Sequence, residues 1–411
     1  MDTTTITAVR VADRRFDLEG GAGTDSVHTN PQYAYAVCQL ESDSGITGVG
    51  FVLTLGPGNE LVCQAIQALA QSLVGRDLEE LMSSYGETFS KLTDSPSYRW
   101  LGPHKGVVHL ALASVTNACF DLWAKSKDVP LWRLLIDLEP EQVISLLDFR
   151  YVTDVMSTDD ALKILHQARQ SRDERLGIID AGFPAYDTSV GWFSYPDEQV
   201  VENARRAVDS GFTAMKLKVG SPEHERDIRR VNLVRDAVGP DATLMIDVNQ
   251  QWELREAITV VHQLQDANLY WVEEPTDPDD VLAHQTLARA VYPTRIALGE
   301  HVPNKVMFKN FLQVGAMSFN QVDALRVGGV SEFILVSLMS RRFGVPVIPH
   351  VGDMGQLHQH LVPFNHISLG HPALFLEHIP HLRKYFRTPA RIEGGRYLLP
   401  QEPGSSCDFV Q

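Results

Sequence analysis

Cysteine is scarce: Cys38, Cys63, Cys119 and Cys407 are all that 411 residues contain. They lie far apart and match neither a metal-binding nor a redox spacing, so no disulfide framework or thiolate metal centre organises the chain. Cys63 and Cys119 stand in apolar helical contexts, where a thiol acts as a small hydrophobe, and a reducing cytoplasm is the expected setting. Long apolar runs are also missing. No stretch reads as a membrane-spanning helix, and Met1 to Gly20 lacks the apolar core of a secretion signal. Positive charge is in deficit, with 36 Lys and Arg against 52 Asp and Glu, a formal net charge of −16 and no basic patch. This balance argues against nucleic acid or an anionic membrane as a partner.

What is present is a chain long enough for a parallel barrel of about 250 residues and a smaller domain. Residues Thr5 to Asp17 and Ala34 to Leu53 read as strands, the second group folding back at Asp43-Ser44-Gly45. Apolar residues at three-and-four spacing predict helices over Asn59 to Ser72, Leu78 to Leu92 and Val107 to Ala124, the last approached through Gly102-Pro103. Strands followed by helices make an α+β unit. From there the pattern changes.

Ala214-Met215-Lys216-Leu217-Lys218-Val219-Gly220 reads as a short buried strand whose alternation points both lysines to one face. Like charges side by side in a dry place lower each other's pKa, which makes a lysine usable as a base. Apolar runs then close on Asp247, Glu273 and Glu300 at steps of 29, 26 and 27 residues. Asp323, His350 and Glu377 follow at similar intervals, and Ser221 to Val238 and Ala257 to Leu264 read as crossover helices between them. That period suits the βα unit of a barrel, where groups that end successive strands converge on one rim.

Lys216-x-Lys218, Asp247-x-Asn249, Glu273-Glu274-Pro275, Gly299-Glu300, Asp323, His350 and Glu377 resemble the enolase superfamily, mandelate racemase subgroup. The wording of His28-Thr29-Asn30-Pro31, Arg99-Trp100-Leu101-Gly102, Leu147-Asp148-Phe149-Arg150 and Glu274-Pro275-Thr276 is similar to the L-fuconate dehydratases of that subgroup. The resemblance implies a modified (β/α)8-type, TIM-like barrel, an α/β fold, under an N-terminal α+β capping domain. The expected division is a cap over 1–135, completed by 380–411, and a catalytic barrel over 136–379.

Asp247, Glu273 and Glu300 offer hard oxygen ligands with no Cys or His, which favours Mg²⁺ over zinc. The resemblance selects Glu273 as the ligand and leaves Glu274 for an ion pair. Lys218 is expected to abstract the proton beside a substrate carboxylate, with Lys216 lowering its pKa. Across the mouth, Asp323 would orient His350 as the opposing proton carrier. Glu377 is expected to hydrogen-bond the metal-bound carboxylate when protonated. Asp25, His28, Tyr33, Asn249, His301 and Asp353 are the expected substrate contacts; Asp353 departs from the small residue the family leads one to expect.

The loop Glu19 to His28, together with Thr54-Leu55-Gly56, would cap the mouth, and the loop Tyr186 to Trp192 would end the first barrel strand. Two outcomes stay open for this chemistry. A leaving hydroxyl on the next carbon gives dehydration of an acid sugar to a 2-keto-3-deoxy acid, L-fuconate above all, whereas its absence gives racemisation or epimerisation. Other aldonates or aldarates, or a non-catalytic sugar-acid-binding protein, are the alternatives. By the same resemblance the chain is expected to form a homo-oligomer.

Overall fold

The computed structural model describes residues 4–102 and 104–410, so the expected helix-approach signal at Pro103 lies outside them. Three antiparallel strands come first: β1 (Ile6–Asp17), β2 (Gln32–Ser42) and β3 (Thr47–Thr54), paired in that order. β2 and β3 join across the Asp43-Ser44-Gly45 turn, as the sequence predicts. Helices Asn59–Ala70, Leu78–Ser83, Tyr85–Thr93 and Gly106–Ser126 follow; the single helix expected over 78–92 is broken at Ser84. Gly48 and Gly50 let β3 lie flat on the last helix, since a Cβ on Gly50 would stand 2.2 Å from the Ser114 carbonyl oxygen. By length and composition, Gly106–Ser126 is apolar enough to cross a membrane, contrary to the sequence reading. Its apolar window, however, is 83% buried inside the protein, where it forms the centre of the cap.

Helices over 131–179 lead to the parallel strands β4 (Phe183–Gly191), β5 (Ala214–Lys218), β6 (Thr243–Asp247), β7 (Val272–Glu273), β8 (Ile296–Leu298) and β9 (Phe319–Asn320). A single bridge from Asn320 to Val347 occupies the next position, and β10 (Leu376–His378) pairs with β4. Residues 186–191 are strand, where a loop was expected. The intervening helices, His224–Val238 and Leu254–Gln263 among them, bury apolar stripes against the barrel.

The C-terminal segment does not belong to the cap alone. The hairpin β11 (Ile392–Glu393) and β12 (Arg396–Tyr397) pairs antiparallel with β4 and extends the barrel sheet. Phe386 and Phe409, in contrast, pack on Tyr35 and Phe51 of the cap sheet at ring separations of 5.5 to 5.9 Å.

Candidate active site

β5 is buried along its length, so alternation sends Met215 and Leu217 to the helices and Lys216 and Lys218 inward. Its register with β6 sets Lys218 beside Asp247, and β6 in turn sets Asp247 beside Glu273. Lys216 Nζ donates to Glu273 Oε1 at 2.6 Å and lies 2.9 Å from Glu377 Oε1. Lys218 Nζ donates to Asp247 Oδ2 at 2.5 Å and to Asn249 Oδ1 at 3.2 Å. Glu273 Oε2 accepts from Trp271 Nε1 at 3.0 Å and Gln321 Nε2 at 2.6 Å. Oxygens of Asp247, Glu273 and Glu300 lie within 4.8 Å of one another, and the nearest cationic group to Glu300 Oε2 is His350 Nε2 at 3.2 Å. Three carboxylates held this close, with only oxygen atoms to offer, fit a hard divalent cation.

Glu274, Glu300 and His301 make a second close group, but Glu274 is spoken for. Its carboxylate accepts the His301 backbone N–H at 3.0 Å and lies 2.9 Å from His301 Nδ1, the ion pair expected of it. On the far wall His350 Nδ1 lies 2.9 Å from Asp323 Oδ2, and His350 Nε2 lies 3.2 Å from Glu300 Oε2. Burial pushes the His350 imidazole down; Glu300 and Asp323 outweigh it and bring it up to about 9.

Three expectations need correction. Burial and Lys216 pull the Lys218 ammonium down, as expected of Lys216, but Asp247, with Asp25 and Glu300, outweighs them and holds it above the ordinary lysine value while no cation shares Asp247 and Glu300. Glu377, expected to donate when protonated, here accepts. Against burial, Lys216 and His350 draw its carboxyl down to about 2, and it accepts from Thr188 Oγ1 at 2.6 Å and the Val351 N–H at 2.8 Å. Asp353 is not at the edge of the cavity. It is buried behind it, where Oδ1 accepts the Ile379 N–H at 2.5 Å and the Tyr397 hydroxyl at 3.3 Å, and Oδ2 lies 3.2 Å from His378 Nδ1.

Above the carboxylates lies a cavity of about 300 Å³. Lys218, Asn249, Glu300, His301, Asp323, His350 and Glu377 reach it from the barrel, while Lys216, Asp247 and Glu273 lie beneath. Asp25, His28 and Tyr33 reach it from the cap, as do Leu53, Thr54 and Leu55. The glycine-rich loop is well tied: Asp25 Oδ1 accepts the Val27 and His28 N–H groups at 2.8 and 2.6 Å, His28 Nδ1 lies 3.0 Å from Oδ2, and Tyr33 OH donates to the Gly23 carbonyl at 2.9 Å.

Trp192 also lines the cavity and donates Nε1 to His381 Nε2 at 2.7 Å. Sequence reasoning missed Arg326, a half-buried guanidinium that lines the cavity with no hydrogen-bonded side-chain partner among the described residues. Its signal was available, because Arg326 follows Asp323 by three residues, across a hydrogen-bonded turn. Gln321 was also missed, and being neutral it carried no signal; the hydroxyls of Tyr186 to Trp192 were expected at the ligand, but that of Thr188 is taken by Glu377.

Residues 7–135 match the mandelate racemase/muconate lactonizing enzyme N-terminal domain, and residues 199–410 the enolase C-terminal domain-like family. The chain belongs to the enolase superfamily, mandelate racemase subgroup. Among its superfamily relatives, human Mitochondrial enolase superfamily member 1 is 40% identical over 99% of this chain and 94% of its own length. L-galactonate dehydratase of Hypocrea jecorina is 37% identical over 100% of this chain and 93% of its own. The crystal structure of the human protein superimposes with a TM-score of 0.96 over 99% of this chain and 95% of the other. That of Salmonella typhimurium L-talarate/galactarate dehydratase, liganded with Mg and L-lyxarohydroxamate, gives 0.79 at 25% identity over 99% and 91%. The α/β barrel beneath an α+β cap is therefore the superfamily fold.

Proposed function

We propose that this enzyme is a Mg²⁺-dependent acid-sugar dehydratase and that L-fuconate is its substrate. The observation that carries the reaction is the pair of proton carriers, Lys218 and His350, opening on one cavity with Asp247, Glu273 and Glu300 grouped at its base. Asp247, Glu273 and Glu300 would hold Mg²⁺, which would supply positive charge to the substrate carboxylate and draw Asp247 off Lys218. Lys218 Nζ takes the proton from C2. His350 Nε2, its ring held by Asp323 through Nδ1, gives a proton to the hydroxyl that leaves C3 as water. The enol that remains tautomerises to the 2-keto-3-deoxy acid. Lys216, pinned by Glu273 and Glu377, stays charged and favours the carboxylate end of the substrate.

The identity of the sugar rests on the opposite wall. Val27, Leu53, Leu55, Leu110, Met354 and Ile379 line the cavity with apolar surface, which suits the C6 methyl of a 6-deoxy acid better than a second carboxylate. A second reading follows from Arg326, whose free donors suit the terminal hydroxyl of L-galactonate, the acid named for the Hypocrea jecorina relative. Purified enzyme with Mg²⁺ should be given L-fuconate, L-galactonate and galactarate, and 2-keto-3-deoxy acid formation followed. Highest kcat/KM on L-fuconate is expected. Preference for galactarate sinks the assignment, deuterium exchange at C2 without product makes the enzyme a racemase or epimerase, and no turnover of any acid leaves a binding protein. A homo-oligomeric state and a cytoplasmic location are part of the same proposal.

A further inference from the structure

A second cavity, of about 370 Å³, lies far from the catalytic rim. Its walls are the helices Thr158–Arg169 and Arg172–Ile179 and the last turns of Val330–Arg342 and His358–Leu369. The helix Arg172–Ile179 runs into the start of β4, the segment after Arg342 into the Val347 bridge, and the segment after Leu369 into β10. These segments enter the strands at their N-terminal ends, so the cavity opens on the barrel face opposite the active site.

The charges here run against the rest of the molecule. Lys163, Arg175, Arg341 and Arg342 line the cavity, with Asp160 as the acid among its lining residues. That acid is already committed: Asp160 pairs with Arg342 at 2.5 Å and accepts the Ser157 hydroxyl at 2.7 Å in the cap of its own helix. Arg175 and Arg341 converge on Gly370, where both guanidinium groups come within 4 Å of the place a Cβ would take. Helix ends explain part of this. Arg341 Nε donates to the Leu369 carbonyl at 3.2 Å and Arg175 Nη1 to that of His366 at 3.4 Å, as cations at helix C-termini do. Arg175 Nε also donates to Ser171 Oγ at 3.0 Å. Each guanidinium carries five N–H donors, so most remain over, and neither arginine has a carboxylate partner among the described residues.

We propose that this cavity binds a phosphate-type oxyanion, either free or carried on a small metabolite. Two guanidinium forks and one ammonium around an open volume match the several acceptor oxygens and multiple charge of such a group, which a single carboxylate would not use up. The site is independent of the dehydration reaction, because none of its residues touches the catalytic cavity.

The full chain is titrated with inorganic phosphate, with ribose 5-phosphate and with sodium chloride at matched ionic strength, and binding is read by calorimetry and by the thermal midpoint. Saturable binding that raises the midpoint is expected from at least one phosphate probe and not from chloride. R175M/R341M should weaken that binding by about tenfold or more while acid-sugar turnover stays unchanged. R175K/R341K, which keeps the charge and loses the forks, should fall between. Binding by inorganic phosphate alone marks a free ion as the occupant; binding only by ribose 5-phosphate marks a carried one. The site is refuted if neither probe saturates, if chloride reproduces the shift, or if both double variants bind as the parent does. Should R175M/R341M fail to fold, K163Q and R341K provide the same reading.

Discussion

Lys218 and His350 perform different halves of one reaction, and single substitutions separate them. K218A should lose both dehydration and the exchange of the C2 hydrogen with solvent, by about 10²- to 10⁴-fold. H350N should lose dehydration while C2 exchange survives. Proton NMR in D₂O reads the exchange, and a K218A enzyme that still exchanges C2 would move the base elsewhere. Asp353 gives the opposite kind of result. D353A strips the acceptor from the buried Ile379 N–H, while the Tyr397 hydroxyl keeps the Glu377 carbonyl, so about 1 to 3 kcal/mol of stability should go, measured by urea unfolding, with the order of preference among sugars unchanged.

The two cases show what a sequence discloses at this scale. Lys216, Lys218, Asp247, Glu273 and His350 were legible because a strand fixes side-chain direction and the barrel period fixes which end faces the rim. Asp353 stands three residues after His350, but the chain turns between them: Val351 and Gly352 both take positive φ, and a Cβ on Gly352 would run into the Glu377 carbonyl. Nearness along the chain therefore gave the wrong side. Glu377 was placed correctly, but its role as an acceptor was not foreseen: Lys216 and His350 draw its carboxyl down, and Thr188 and the Val351 N–H donate to it from other elements.

Among the elements, the loop from Glu19 to His28 depends on Asp25 for its shape. D25A should free the Val27 and His28 N–H groups and raise KM for the preferred sugar by about tenfold, with a smaller change in kcat; an unchanged specificity profile for D25A and H28A would take the loop out of substrate choice. The helices make acid the weak side of the molecule. Burial lowers His360 to about 3 and His371 to about 4, whereas His109, against burial, draws Glu332 down to about 2. All three groups bind a proton less readily in the folded chain than in the unfolded one, so stability falls with pH. The thermal midpoint should begin to drop as pH passes below about 6.5, from the histidines, and fall faster below about 4.5, when Glu332 joins them. H360Q should flatten the first part. A midpoint level from pH 7 to 5 would contradict this.

For the molecule as a whole, the carboxylate cluster ties the metal to stability. Removing divalent ions with EDTA should lower the thermal midpoint and abolish turnover, and Mg²⁺ at about 100 times its Kd should restore about 2.7 kcal/mol. D247N should no longer respond to Mg²⁺ in either assay. The overall architecture was readable from the alternation of strands and helices. The last thirty residues were expected with the cap, where Phe386 and Phe409 do pack; the pairing of β12 with β4 was not read, because the partner of Tyr397, Phe183, lies some two hundred positions away.

That route makes the carboxyl end a suture. β12 is sewn to the first barrel strand while Phe386 and Phe409 are sewn to the sheet that roofs the cavity, so neither half is finished without the tail. Proteins cut back to residue 379 should therefore lose the roof and the first strand's edge together. Each half made as a separate fragment should be insoluble until the tail is supplied.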